Sequence, residues 1–241
     1  MEAGQEDQRQ LLLSQLTFSG LSQNCSRYAA NPFRRDRCTE CGKGVRDHRA
    51  EAVSNDDIMV AIAHAQGAQG GHLILPAENG FGEMHLGGFM ASGKAYIESR
   101  RITHVINAAK GLGSFFVGWA KQLPALAEQG VVFMRLEWTD THDQKLYRDQ
   151  PWDTLTEAVL FIEDARKRGG NVVVHCAQGK SRSTTVVVAY MMAKRGMGVE
   201  EAVKFVQAKR PEADPNSNFI AQLHEFHNSP ELAQLRTQFT Q

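Results

Sequence analysis

The chain lacks an excess of charge of either sign: among its 241 residues, 27 basic and 27 acidic side chains cancel. Balanced charge supplies no broad positive field, which argues against a nucleic-acid surface and against general attraction to a membrane. Long apolar runs are missing too. The longest near the start, Leu11 to Leu13, is far short of a signal-peptide core or a membrane span, and Glu2 stands where N-myristoylation requires glycine. An intracellular, cytoplasmic protein without a membrane span is therefore expected. Cysteine is scarce. The four present fit reduced thiols and metal ligands better than a disulfide framework. No internal repeat occurs at solenoid spacing. The 42% hydrophobic content supports one domain of about 150 residues with a sizeable core, plus an appendage.

What is present centres on Asn171 to Ser183, NVVVHCAQGKSRS. Three consecutive valines make a short buried strand, and the residues after Ser183 (TTVVVAYMMAK) mix apolar and small side chains as a buried helix does. The segment between is a strand-to-helix loop. Such a loop, with Gly179 in it and a helix N-terminus behind it, turns backbone N–H groups inward and makes an anion site that suits phosphate. Cys176 lies at the end of the strand, where the helix N-terminus, Arg182 and the amides favour the thiolate that attacks phosphorus. Arg182 offers a planar two-pronged grip on phosphoryl oxygens. Ser183 places a hydroxyl beside the sulfur, where it would stabilise it as a leaving group. The alternative, an inert buried cysteine ahead of a helix, needs neither the glycine nor the arginine.

The run His-Cys-x-x-Gly-x-x-Arg-Ser resembles the dual-specificity branch of the cysteine-dependent protein tyrosine phosphatases. The likeness extends from Met84 to Gly88 and Ile102 to Asn107 upstream to Glu201 to Phe226 downstream, with its Arg-Pro, its Asn and its Phe-x-x-Gln-Leu. The resemblance implies a phosphatase of the tyrosine-phosphatase fold, acting on phosphoprotein substrates in signalling without a cofactor in catalysis. It also implies residue roles: nucleophile Cys176, phosphate contacts from Ala177, Gln178, Gly179, Lys180, Ser181 and Arg182, leaving-group support from Ser183, and His175 anchoring the loop. An aspartate after the preceding strand would be the general acid, and Asp140 is the first choice with Asp143 second. Lys180, a second cation in the loop, keeps a phosphoinositide, glycan or RNA-end phosphatase as an alternative; a phospho-binding module without turnover is another.

Near the start, Cys25, Cys38, Cys41 and His48 spell C-x12-C-x2-C-x6-H in a segment of polar and turn-forming residues. Two thiols with two residues between them form a knuckle for a single tetrahedral zinc, and Cys25 and His48 complete the ligand set. So few apolar residues would not fold on burial alone, and a metal would supply the stability. Such an element would have its own protein partner.

The expected organisation is an N-terminal tail over 1–19, a zinc-binding element over 20–50, a flexible linker over 51–71, a catalytic domain over 72–229 and a C-terminal tail over 230–241. His64 and His72, in and beside the linker, read as surface residues. Within the domain, strands at Glu83 to Gly88, Thr103 to Asn107, Val131 to Leu136 and Asn171 to His175 alternate with helices at Ser92 to Arg100, Ser114 to Glu128 (broken or restarted at Pro124) and Trp152 to Arg168. That alternation predicts an α/β fold with a mainly parallel central sheet flanked by helices, with the small zinc-stabilised segment added. Sites in such sheets form at the carboxyl ends of strands, where Cys176 falls.

Overall fold

The computed structural model describes residues 25, 38, 48, 53 and 58, then 70–115 and 117–240. The expected tail over 1–19, most of the 20–50 element including Cys41, and the linker with His64 lie outside the described residues. The chain divides into two units, Met1–Gln69 with Gly113–Ala120, and Gly70–Leu112 with Lys121–Gln241.

The second unit is built on a five-stranded sheet in the order β1-β2-β5-β3-β4. Its strands are β1 (Gly71–Leu75), β2 (Met84–Gly87), β3 (Ile102–Asn107), β4 (Val132–Arg135) and β5 (Asn171–His175). Strand β5 pairs in parallel with β2 and β3, and β3 pairs in parallel with β4. The valine strand thus occupies the middle of the sheet, and Val172, Val173 and Val174 are fully buried. Central strands covered on both faces read as continuous apolar runs, which is how 172–174 reads.

Strand β1 was not expected: it opens with glycine at the end of the presumed linker and pairs antiparallel to β2 at the sheet edge. It puts His72 opposite Leu86, and His72 is half-buried rather than a free surface residue.

One face of the sheet carries a 3-10 turn over Phe89–Ser92 and helices α1 (Lys94–Ser99) and α4 (Leu123–Glu128), and a core of Ala91, Ile97, Ile102, Val105, Leu126 and Val173. Two short helical segments, α2 (Leu112–Phe115) and α3 (Val117–Ala120), precede α4. Pro124 sits in the first turn of α4, where a missing N–H costs nothing, so the proline restarts the helix rather than kinking it.

Helices α5 (Asp153–Lys167), α6 (Arg182–Arg195), α7 (Val199–Gln207), α8 (Ser217–His227) and α9 (Pro230–Phe239) complete the chain. Helix α6 is the hub, with α5, α7, α8 and α9 all packed against it. Its residues Ser183 to Ala193 are all buried, so the helix has no polar face to show in sequence. Most of 230–241 is helical, as α9. Ser229 caps α9 through Leu232 N–H, Pro230 occupies the first turn, and Leu232 and Leu235 are buried. Among the described residues, no helix is long and apolar enough to cross a membrane.

Candidate active site

Because β5 is central and parallel, the loop after it opens at the carboxyl rim, and α6 begins at Arg182 directly behind it. Residues 176–181 must therefore reverse the chain within one turn. Gly179 makes this possible with φ of +74°, and a Cβ there would lie 2.3 Å from the Gly87 carbonyl carbon. Only glycine tolerates both the dihedral and the backbone contact with the end of β2.

The loop's carbonyls are bound on its outer side. Ala177 O accepts from Phe89 N at 3.1 Å and Lys180 O from Asp214 N at 2.9 Å. Gly179 O and Gln178 O accept from Arg210 Nε and Nη2 at 2.7 and 3.0 Å. A trans peptide is planar with its C=O and N–H opposed, so carbonyls held outward direct the following N–H groups inward. Gly179 N–H indeed points at Cys176 Sγ, 3.2 Å away. Ser183 Oγ donates to the same sulfur at 3.3 Å. Cys176 itself is buried at 1% exposure, at the bottom of this ring of donors.

His175 is fully buried, with Nδ1 3.3 Å from Cys176 O. Burial, reinforced by the charge of Arg182, lowers its pKa to about 4. The ring is thus neutral near pH 7, a hydrogen-bonding anchor rather than a proton carrier. Lys180 is half-buried in the outer part of the loop.

The segment after β4 supplies a carboxylate. Glu137 turns the chain with φ of +55°, a left-handed value uncommon for a side-chain-bearing residue. Trp138 is then buried against Phe219 of α8, with ring centroids 6.1 Å apart. Two residues on, Asp140 meets the loop: Ser181 Oγ and Asn216 Nδ2 donate to its Oδ1 at 2.7 and 2.9 Å, and Arg182 Nε lies 3.4 Å from its Oδ2. Arg182 Nη1 also reaches Trp138 O at 3.3 Å, which holds the guanidinium over the rim.

Next along the segment come His142, with Nδ1 3.5 Å from Ser217 Oγ, and Asp143. Both are exposed, and the Thr141 hydroxyl holds the Asp143 carboxyl below the usual carboxylate range, which makes it a poor proton donor. The rest of this segment is fastened to α8. Gln144 Oε1 accepts from Thr139 N–H at 2.8 Å, and Gln222 Nε2 donates to Gln144 O at 2.8 Å. Gln222 Oε1 accepts from Leu146 N at 3.0 Å. The Phe-x-x-Gln-Leu run of the sequence thus clamps the segment that carries Asp140, through Gln222, which residue types alone do not reveal. Residue type alone does not mark Arg210 and Asn216 as site residues either. Their only signal was their place in the Arg-Pro and Asn of the downstream resemblance.

In the other unit, one donor atom from each of Cys25, Cys38 and His48 lies within 4.8 Å of the others, with both Cys38 and His48 buried. The two sulfurs are 3.8 Å apart. That is far longer than a disulfide and equals the edge of a tetrahedron with zinc–sulfur bonds of about 2.3 Å. The donor set fits a zinc ion.

A family model described as the dual specificity phosphatase catalytic domain matches residues 84–229. Dual specificity protein phosphatase 1 of Arabidopsis thaliana is 37% identical over 143 residues, 59% of this chain and 64% of that protein. Dual specificity protein phosphatase 15 of Mus musculus is 34% identical over 144 residues, 59% of this chain and 54% of that protein. The chain therefore aligns with little more than half to two thirds of these relatives. The crystal structure of DUSP15 superimposes with a TM-score of 0.57 at 28% identity, covering 71% of this chain and 95% of that one. A mouse putative dual specificity phosphatase complexed with zinc tungstate gives 0.52 at 26% identity, covering 68% and 91%.

Proposed function

Because the chain belongs to the dual specificity phosphatase catalytic-domain family, we propose that it hydrolyses phosphotyrosine and phosphoserine or phosphothreonine in protein substrates through a phosphocysteine intermediate. The observation that carries this is the ring of donors around Cys176 with a carboxylate held on its rim: Gly179 N–H and Ser183 Oγ at the sulfur, Asp140 fastened to Ser181 and Asn216.

In the first step the Cys176 thiolate attacks phosphorus while Arg182 and the inward amides of 177–182 hold the equatorial oxygens. The phosphorus–oxygen ester bond breaks, and Asp140 gives its proton to the departing oxygen. In the second step water attacks the phosphocysteine and passes a proton back to Asp140. The sulfur–phosphorus bond breaks, and the sulfur leaves as a thiolate that Ser183 Oγ and Gly179 N–H receive. A thiolate nucleophile suits a reducing, cytoplasmic setting and a signalling role.

In the N-terminal segment, Cys25, Cys38 and His48 would hold a structural zinc ion, with Cys41, which lies outside the described residues, as the expected fourth ligand; such a site would act on folding and partner docking, not on catalysis.

The test is Cys176→Ser. The serine keeps the cradle but is far less ionised at neutral pH, so turnover of an aryl phosphate should vanish while tungstate still binds. Appreciable residual turnover would place the chemistry on another nucleophile.

A further inference from the structure

Arg210 is fully buried, and its fork of donors is spent on four groups from three segments. Nε and Nη2 donate to Gly179 O and Gln178 O, Nη1 donates to His72 Nδ1 at 2.8 Å, and Glu212 Oε1 lies 3.2 Å from Nη1 as the counter-ion. A buried guanidinium without such partners would be strongly destabilising. Here the four partners come from three places: two carbonyls of the catalytic loop, the edge strand β1, and the segment after α7. We propose that Arg210, held by His72 and Glu212, is a positioning residue that turns the Gln178 and Gly179 carbonyls outward and thereby aims the Gly179 and Lys180 N–H groups at the phosphoryl site.

The reasoning is geometric. The carbonyl of residue 178 and the N–H of residue 179 belong to one planar unit, as do the carbonyl of 179 and the N–H of 180. Fixing the two oxygens from outside fixes the two donors inside. The first of these donors is the one that meets Cys176 Sγ at 3.2 Å. Gly179, free of a side chain and in the left-handed region, has no local preference that would hold the peptides in this sense, so the restraint must come from elsewhere in the fold. Arginine is required because two adjacent carbonyls and a ring nitrogen need a planar fork; an ammonium is a point donor on a shorter reach. His72 can serve only as a neutral ring, because an arginine has no acceptor to offer it. Burial together with the neighbouring guanidinium lowers its pKa, which keeps Nδ1 available.

This rests on the phosphate-cradle reading of the loop. The experiment compares the full-length wild type with Arg210→Lys, His72→Gln and His72→Phe, measuring kcat and KM on an aryl phosphate and Kd for tungstate. Arg210→Lys should raise KM and the tungstate Kd together by about tenfold or more, with a much smaller change in kcat, since charge-assisted contacts that orient ground-state donors are lost. His72→Phe should weaken tungstate binding several-fold, and His72→Gln, which keeps a side-chain acceptor, should stay near wild type. Unchanged KM and Kd in Arg210→Lys, or a lowered melting temperature with KM and Kd intact, would overturn the positioning role. If Arg210→Lys does not fold, the two His72 variants decide: equal tungstate affinity in both overturns it. A wild type that neither turns over nor binds tungstate would instead end the cradle reading itself.

Discussion

Asn216 donates from its side-chain amide to Asp140 Oδ1 at 2.9 Å, while its own side-chain oxygen accepts the Phe219 N–H at 2.9 Å. One asparagine thus caps α8 and holds the carboxylate that faces the 176–181 loop, so the start of that helix and the position of the Asp140 carboxylate are a single feature.

Loss of the acid should depend on the leaving group. Asp140→Ala should lower kcat on a phosphotyrosine peptide by about a hundredfold or more, and much less on an activated ester whose oxygen departs without a proton. Asp143→Ala should behave like wild type, because it is the Asp140 carboxyl that meets Ser181 and Arg182. Asn216→Ser, which keeps a capping oxygen, should show a weaker version of the Asp140 effect. Leaving-group dependence in Asp143→Ala alone would move the acid to that residue.

Ser183→Ala should separate the two chemical steps. If the hydroxyl 3.3 Å from Cys176 Sγ helps the sulfur depart as proposed, its removal should slow hydrolysis of the phosphocysteine more than its formation. Rapid-mixing kinetics on an activated ester should show a burst followed by a steady rate lower by roughly tenfold to a hundredfold. A slow steady rate with no burst would assign Ser183 to the first step.

Stability should fall on mild acidification. His175 has a folded pKa of about 4 against 6.5 in the unfolded chain. Between those values the unfolded chain takes up a proton that the folded protein refuses, so its contribution is complete above about pH 6.5 and is lost progressively as pH falls toward 4. The window is worth roughly 3 kcal/mol. Buried His85, its pKa also lowered by burial, acts in the same direction. Urea midpoints of His175→Asn should therefore vary less with pH across this range than those of wild type; an identical pH slope would contradict a buried neutral His175.

Metal content is directly measurable. About one equivalent of zinc per chain is expected by elemental analysis, lost in the Cys38→Ser, Cys41→Ser double variant. Chelation should leave turnover by the catalytic unit unchanged. Protein purified without chelator yet free of zinc would remove the site.

The stretch 171–183 was legible because everything it needs is contiguous: three β-branched residues for a buried strand, a glycine for the reversal, and an apolar helix whose first turn carries Arg182. The alternation of strands and helices was legible for the same reason, each element announcing itself within its own span. Terminal punctuation was harder. Ser229 and Pro230 look like a stop, yet as N-cap and first-turn residue they start α9, since a turn signal does not say on which side the helix lies. Strand β1 was hidden because an edge strand opening on glycine has neither the apolar run of a buried strand nor a strict alternation.

The sequence by itself determined the make-up of the loop, because Cys176, Gly179, Arg182 and Ser183 sit within eight residues of one another along the chain. Tertiary structure decided which groups orient that loop. Arg210 meets His72 across 138 positions and Gly179 across 31, and Asp140 meets Ser181 across 41 and Asn216 across 76. No periodicity or spacing encodes such pairs. They exist because the central parallel sheet brings the ends of β2, β3, β4 and β5 to one rim, and burial there obliges each polar group to find a partner from whatever segment the fold places beside it.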